Sequence, residues 1–194
     1  MTSPLMICVW SPRRGSGTTR SVQQLAQLYS AQHQIPTLVM DMNPNLRLSK
    51  RLLASVGMRY QDCTETSKPR TFCDLMEQLD VQCTKASRDR LVSSEAYTVQ
   101  INSHLWLGVG NPDLMYVDCK MYVREALHMG KLSTNRLTRA VRAIIVDTAK
   151  RHGAHVVLID MSSYLGALDR TLFLSSDAWI LTVPNDAYAP ALIK

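Results

Sequence analysis

The sequence predicts an α/β fold of three layers, a mostly parallel central sheet with helices on both faces, and three observations predict it. Short apolar runs rich in branched residues, too brief for helices, occur at Leu5-Met-Ile-Cys-Val-Trp10, Ile35-Pro-Thr-Leu-Val-Met-Asp41 and Val156-Val-Leu-Ile-Asp160. Stretches of helical periodicity stand between them. The first run passes through a Gly15-Ser-Gly17 turn directly into such a stretch.

That first unit sets the frame. Val22, Leu25, Ala26 and Tyr29 fall on one face of the helix after the turn. Strand, glycine turn and helix is the layout of a phosphate-binding loop, in which backbone N–H groups and a helix N-terminus face an anion. The same Gly-Ser-Gly-Thr-Thr turn also serves as an ordinary connector, so the reading depends on the motifs in the rest of the chain.

The second strand ends at Asp41 and runs through Asn43-Pro-Asn into a helix that starts near Leu48-Ser49. Phe72, Leu75, Met76 and Leu79 have helical spacing, with Thr71 as cap, and Gln82–Ser94 reads as a polar loop. Tyr97–Ile101 and His104–Gly110 read as two strands. Gly108 and Gly110 do not make a dinucleotide fingerprint, because no third glycine and no helix follow. Ser133–Arg151 is a helix with Leu137, Ala140, Val141, Ile144, Ile145 and Thr148 on one face and Arg136, Arg139 and Arg142 opposite. After the strand ending at Asp160 come a further helix and a strand at Trp179–Val183. Trp10, Trp106 and Trp179 each lie on a strand and are expected in the core.

Composition bounds the function. The 194 residues, 46% of them apolar, suit one domain spanning 1–194 with a sizeable core. No apolar run reaches the ~18 residues of a membrane span, and the N-terminus lacks the pattern of a secretory signal. Five cysteines without a Cys-x-x-Cys pair fit unpaired thiols in a reducing cytoplasm and offer no zinc or cluster spacing. A net charge of +6 permits DNA or an anionic membrane surface as a partner, but it is scattered over Arg13, Arg14, Arg20, Arg47–Arg51, Lys68–Arg70 and the 134–151 helix, as on a solvated surface. His152 and His155 flank a loop glycine and read as surface residues, and no nucleophilic triad can be argued.

The motifs together resemble the ParA/MinD family of P-loop ATPases, whose loop reads Lys-Gly-Gly-x-Gly-Lys-Thr-Thr. Arg13 takes the place of the family's first lysine and Arg14 that of its first glycine; Gly15 and Gly17 are kept, and Thr18 stands where the phosphate-binding lysine should be. Thr19 matches the threonine that reaches Mg²⁺. The resemblance therefore implies that Arg13, Arg14, Gly15, Ser16, Gly17, Thr18, Thr19 and Arg20 face the cofactor, ATP with Mg²⁺. Asp41 matches the first carboxylate of the family's Asp-x-Asp-Pro segment and is the catalytic candidate, whereas Asn43 replaces the second carboxylate and cannot take a proton as a base. Asp160 would hold the Mg²⁺ water shell with Thr19. Pro44, Leu165-Gly166 and Asp177-Ala178 match as well, while Ser162 and Ser163 replace the family's prolines. After Pro184 only the start of a helix remains, so the C-terminal edge of the family fold is expected to be missing.

The departures at Thr18 and Asn43 resemble the TadZ/CpaE branch of the family. That branch implies a homodimer in the cytoplasm, at a cell pole, that positions pilus-assembly machinery through protein partners and hydrolyses ATP weakly or not at all. The alternative is a working ParA-type partition ATPase that binds DNA non-specifically through its basic surface. A metallocentre-insertion or nitrogenase-reductase type enzyme would want a bridging cysteine pair, and none is suitably spaced.

Overall fold

A computed structural model of the chain describes residues 2–63, 98–127 and 131–184. In chain order these form β1 (Leu5–Trp10), α1 (Thr18–Gln27, prolonged by a π turn over Leu28–Gln32), β2 (Thr37–Asp41), α2 (Arg47–Ser55), a 3₁₀ turn (Tyr60–Cys63), β3 (Thr98–Asn102), β4 (Leu105–Gly108), α3 (Leu114–Leu127), α4 (Lys131–Arg151), β5 (Val156–Asp160), α5 (Ala167–Ser175) and β6 (Ala178–Leu181). The predicted helix around Phe72–Leu79, the polar loop at 82–94 and the segment 185–194 lie outside the described residues.

The strands form one sheet in the order β3-β4-β2-β5-β1-β6, parallel throughout except for β3 against β4. β2 and β5 are buried along their whole length, and β1 over Met6–Val9. That is why their sequences are continuous apolar runs rather than alternating ones. Alternate residues feed two cores. Met6, Cys8, Leu38, Met40, Val157 and Ile159 pack against α3, α4 and α5, whereas Ile7, Val9, Val39, Leu107 and Leu158 pack against α1 and α2. The layers are those the sequence predicts.

Several expectations need correction. The sequence does not predict helix α3, because exposed Met115, Tyr116, Tyr122 and Val123 accompany buried Leu114, Val117 and Met121 and blur the apolar stripe. α4 begins at Lys131, before the expected Ser133. Arg142 does not belong to a solvated face: it donates to Asp177 at 2.8 Å and to the Ser175 carbonyl, tying α4 to the α5–β6 corner. Trp179 is 60% exposed rather than core, since β6 is an edge strand; its indole N–H donates to the Phe173 carbonyl at 3.1 Å. Trp10 and Trp106 are partly buried against the first core. His152 is only half exposed; it stacks on Trp106 with centroids 5.4 Å apart and its Nε2 meets the Thr98 hydroxyl at 2.9 Å. Cys8 and Cys63 are buried thiols and Cys119 an exposed one; Cys73 and Cys83 lie outside the described residues.

Gly110 has a packing reason in place of the rejected fingerprint. A Cβ there would lie 2.6 Å from the Asp41 carbonyl oxygen and 3.0 Å from Leu46 Cδ2. Gly110→Ala is therefore expected to destabilise the fold by ~1–3 kcal/mol through forced displacement of β2, measured by urea unfolding.

Candidate functional site

The carboxyl ends of β1, β5 and β2 share one edge of the sheet, and register fixes what meets there. Val9 and Asp41 both pair with Asp160, on either side of β5. The loop from β1 starts at buried Ser11, whose hydroxyl accepts the Arg13 N–H at 3.2 Å. Gly15 and Gly17 then take φ of +83° and +89°, which side-chain-bearing residues rarely adopt. Gly17 caps α1 without any side chain accepting from the first turn, and that turn carries no acidic residue. Its N–H groups are an open anion seat.

Thr18, at the expected lysine position, is occupied elsewhere. Its hydroxyl meets that of Thr182 at 2.9 Å, with Ser16 within 3.4 Å of Thr18 and 3.3 Å of Thr182. Thr182 in turn donates its N–H to the Trp10 carbonyl at 2.9 Å. The hydroxyl cluster ties the loop to the chain leaving β6. Arg13, Arg14 and Arg20 are exposed around the loop, and the Arg14 guanidinium carbon lies over the Tyr164 ring, 4.6 Å from its centroid.

The two candidate carboxylates have unlike environments. Asp41 Oδ2 accepts the Ser49 N–H at 2.8 Å and Oδ1 the Asn43 N–H at 3.2 Å, so this residue anchors α2 and the turn before it. Leu46 holds a left-handed φ of +56° in that turn. Burial pushes the Asp41 carboxyl up to about 6, against hydrogen bonds from Ser49 and Asn43 that favour its charged form. Asp160 is fully buried and neither of its oxygens receives a hydrogen bond. Burial, and then the charge of Asp41, push it well above the usual carboxylate range; the neighbouring Thr19 hydroxyl pulls the other way without bonding at normal geometry. A buried, orphaned carboxylate beside a threonine hydroxyl is a hard-oxygen donor set, and it fits Mg²⁺.

Asn43 is engaged within its own turn. Its Oδ1 accepts from the Asn45 N–H at 3.1 Å and the Asn45 side-chain amide at 3.0 Å, and its Nδ2 donates to the Met161 carbonyl at 3.4 Å. The structure brings Gly15–Thr19, Asp41 and Asp160 to one edge. Three contributors are not readable in the sequence. Tyr164 falls at the variable position of the matched motif, Thr182 is distant in sequence, and the fixing of Asp41 by Ser49 depends on a helix entry angle. Beyond Tyr164, Ser162 donates to buried Asp169 at 2.6 Å and Asp118 accepts the Leu168 N–H at 2.7 Å, so the β5–α5 loop is clamped at its far end.

The raised carboxyls fix a pH dependence. In the folded chain they hold protons at pH values where the unfolded chain has released them. The stability this contributes is present below the ordinary value of 3.8 and is lost as pH rises through about 6 for Asp41 and further for Asp160. Asp160→Asn is expected to be the more stable protein at pH 8 by at least ~1 kcal/mol, the cost of an unsatisfied buried charge. The gap should close towards pH 5 in urea titrations at a series of pH values.

No family model matches the chain, and no curated protein matches it in sequence. Solved structures do. McdA from Cyanothece, without ligand, superposes with a TM-score of 0.70 at 15% identity over 97% of this chain and 62% of that one. Cobyrinic acid a,c-diamide synthase from Mycobacterium smegmatis, with a bound ATP analogue and magnesium, gives 0.64 at 16% identity, covering 98% and 66%. A plasmid partition protein from Borrelia burgdorferi bound to AMPPNP gives 0.61 at 14%, covering 99% and 68%. The chain thus spans about two thirds of the length of these proteins. Its fold, from the glycine loop to the edge strand after α5, is that of the ParA/MinD-like P-loop ATPases.

Proposed function

We propose that this chain binds magnesium–ATP at the β1–β5–β2 edge and works as a nucleotide-gated positioning or scaffold protein with little or no hydrolysis. The observation that carries the reading is Asp160, buried beside Thr19 at the foot of a glycine loop with neither oxygen hydrogen-bonded. A carboxylate left so is costly unless a ligand compensates it.

Each residue has a part that its position supports. The N–H groups of residues 15–19 and the α1 N-terminus receive the phosphates. Thr19 and Asp160 would hold Mg²⁺, which would supply positive charge to the bound phosphates. Thr18 adds no charge. Asn43 takes no proton, and Asp41 is committed to two backbone N–H groups, so neither of these side chains is placed as a base for an attacking water. Slow turnover is the consequence. Two structural neighbours, one solved with an ATP analogue and magnesium and one a partition protein bound to AMPPNP, support a nucleotide as the ligand. Homodimerisation, protein partners, a cytoplasmic and polar setting and a role in pilus assembly are the finer parts of the proposal. Among the described residues no helix is long and apolar enough to cross a membrane.

A second reading, a partition ATPase that grips DNA non-specifically, rests on the exposed Arg47, Lys50 and Arg51 of α2. Retention on DNA that falls steeply with salt would favour it over the scaffold.

Calorimetry with MgATP and MgADP tests the site. Micromolar MgATP binding with negligible phosphate release is expected, and Asp160→Asn should weaken it tenfold or more and remove its dependence on Mg²⁺, in keeping with a lost charged contact of roughly 1.5–3 kcal/mol. No heat up to millimolar nucleotide would overturn the nucleotide reading.

A further inference from the structure

Among the described residues no carboxylate pairs with the Arg14 guanidinium. It lies instead over the Tyr164 ring, and both side chains are exposed. The two stand on loops that leave paired parallel strands, Arg14 after β1 and Tyr164 after β5, on the edge where the anion seat opens. Thr18, at the lysine position, is neutral and tied to Thr182. Gly15 follows Arg14 with open space around the site of its absent Cβ, which leaves room for the guanidinium to be re-aimed.

We propose that Arg14 is the cation of the phosphate site and that Tyr164 holds it in reserve. Binding of a nucleotide draws the guanidinium off the ring and onto phosphate oxygens, and in doing so releases the β5–α5 loop at Tyr164. The inference rests on the nucleotide reading above and adds to it how the site is gated. The exchange runs downhill. A cation over an exposed tyrosine face is worth about two- to fivefold in an equilibrium, whereas a guanidinium forked onto phosphate is a charge-assisted, bidentate contact worth roughly tenfold or more. The aromatic face keeps the arginine near the loop without neutralising it, as an aspartate there would. The freed ring also lines a cleft of about 200 Å³ with Met42, Leu114, Asp118 and Leu168, so occupancy of the loop reaches a second surface.

The test is a double-mutant cycle in MgATP calorimetry on the full chain, with Tyr164→Leu, Arg14→Gln and both together. Tyr164→Leu is expected to tighten binding about two- to fivefold, Arg14→Gln to weaken it tenfold or more, and the Tyr164 effect to vanish once Arg14 is gone. Should the leucine variant aggregate, Tyr164→Gln reads the same loss of the ring. Unchanged affinity in Arg14→Gln would overturn the proposal, as would tightening by Tyr164→Leu that persists in the double variant. Tightening by Tyr164→Phe, which keeps the ring, would overturn it too. Those outcomes leave the nucleotide reading standing; no binding by the wild type or any variant defeats that reading, and this one with it.

Discussion

Two carboxylates side by side in a dry sheet edge are the constraint around which this molecule is arranged. Asp41 and Asp160 are register partners on adjacent strands, both almost without solvent. Burying even one such group is expensive without compensation. The protein compensates Asp41 in part, turning the start of α2 so that the Ser49 N–H points into it. The left-handed Leu46 and the bare Cα of Gly110, whose N–H donates to the Ser49 hydroxyl at 3.0 Å, are consequences of that arrangement. Asp160 is left uncompensated. The difference between the two environments is that one carboxylate anchors a helix entry and the other keeps both oxygens unbonded.

Where the chain departs from the ParA/MinD pattern, local bonds have taken up the changed side chains. Thr18 sits in a hydroxyl cluster, Asn43 caps its own turn and reaches across to β5, and Ser162 clamps Asp169 where a proline is expected. Each is a neutral group in a hydrogen bond that suits it. The β1–β5–β2 edge therefore carries neutral side chains at these positions, with the Arg14 guanidinium beside it over the Tyr164 ring.

Much of this is legible in the sequence. Buried parallel strands announce themselves as unbroken apolar runs, so β1, β2 and β5 can be placed to within two residues, and the glycine loop is evident from its neighbours. The parts that are not legible have physical reasons. Helix α3 carries large apolar side chains on its exposed face as well as its buried one, and periodicity fails as a signal there. Trp179 reads as core because strand membership says nothing about lying at an edge. Thr182, which bonds Thr18, and Tyr164, which holds Arg14, lie more than a hundred residues away along the chain, and only the folded sheet brings them together.

The bond between Thr18 and Thr182 bears on how such a chain can change over generations. A lysine at position 18 would add an ammonium to the loop, but it would also remove the Thr18 hydroxyl from the cluster that joins the glycine loop to the chain beyond β6. Thr182 would keep Ser16 and the Trp10 carbonyl as partners, each at 3.3 Å. The shortest of the three hydroxyl contacts, at 2.9 Å, is the one that such a change removes. Positions 16, 18 and 182 therefore vary as one unit, and a substitution at any of them is felt both in the loop and at the end of the sheet.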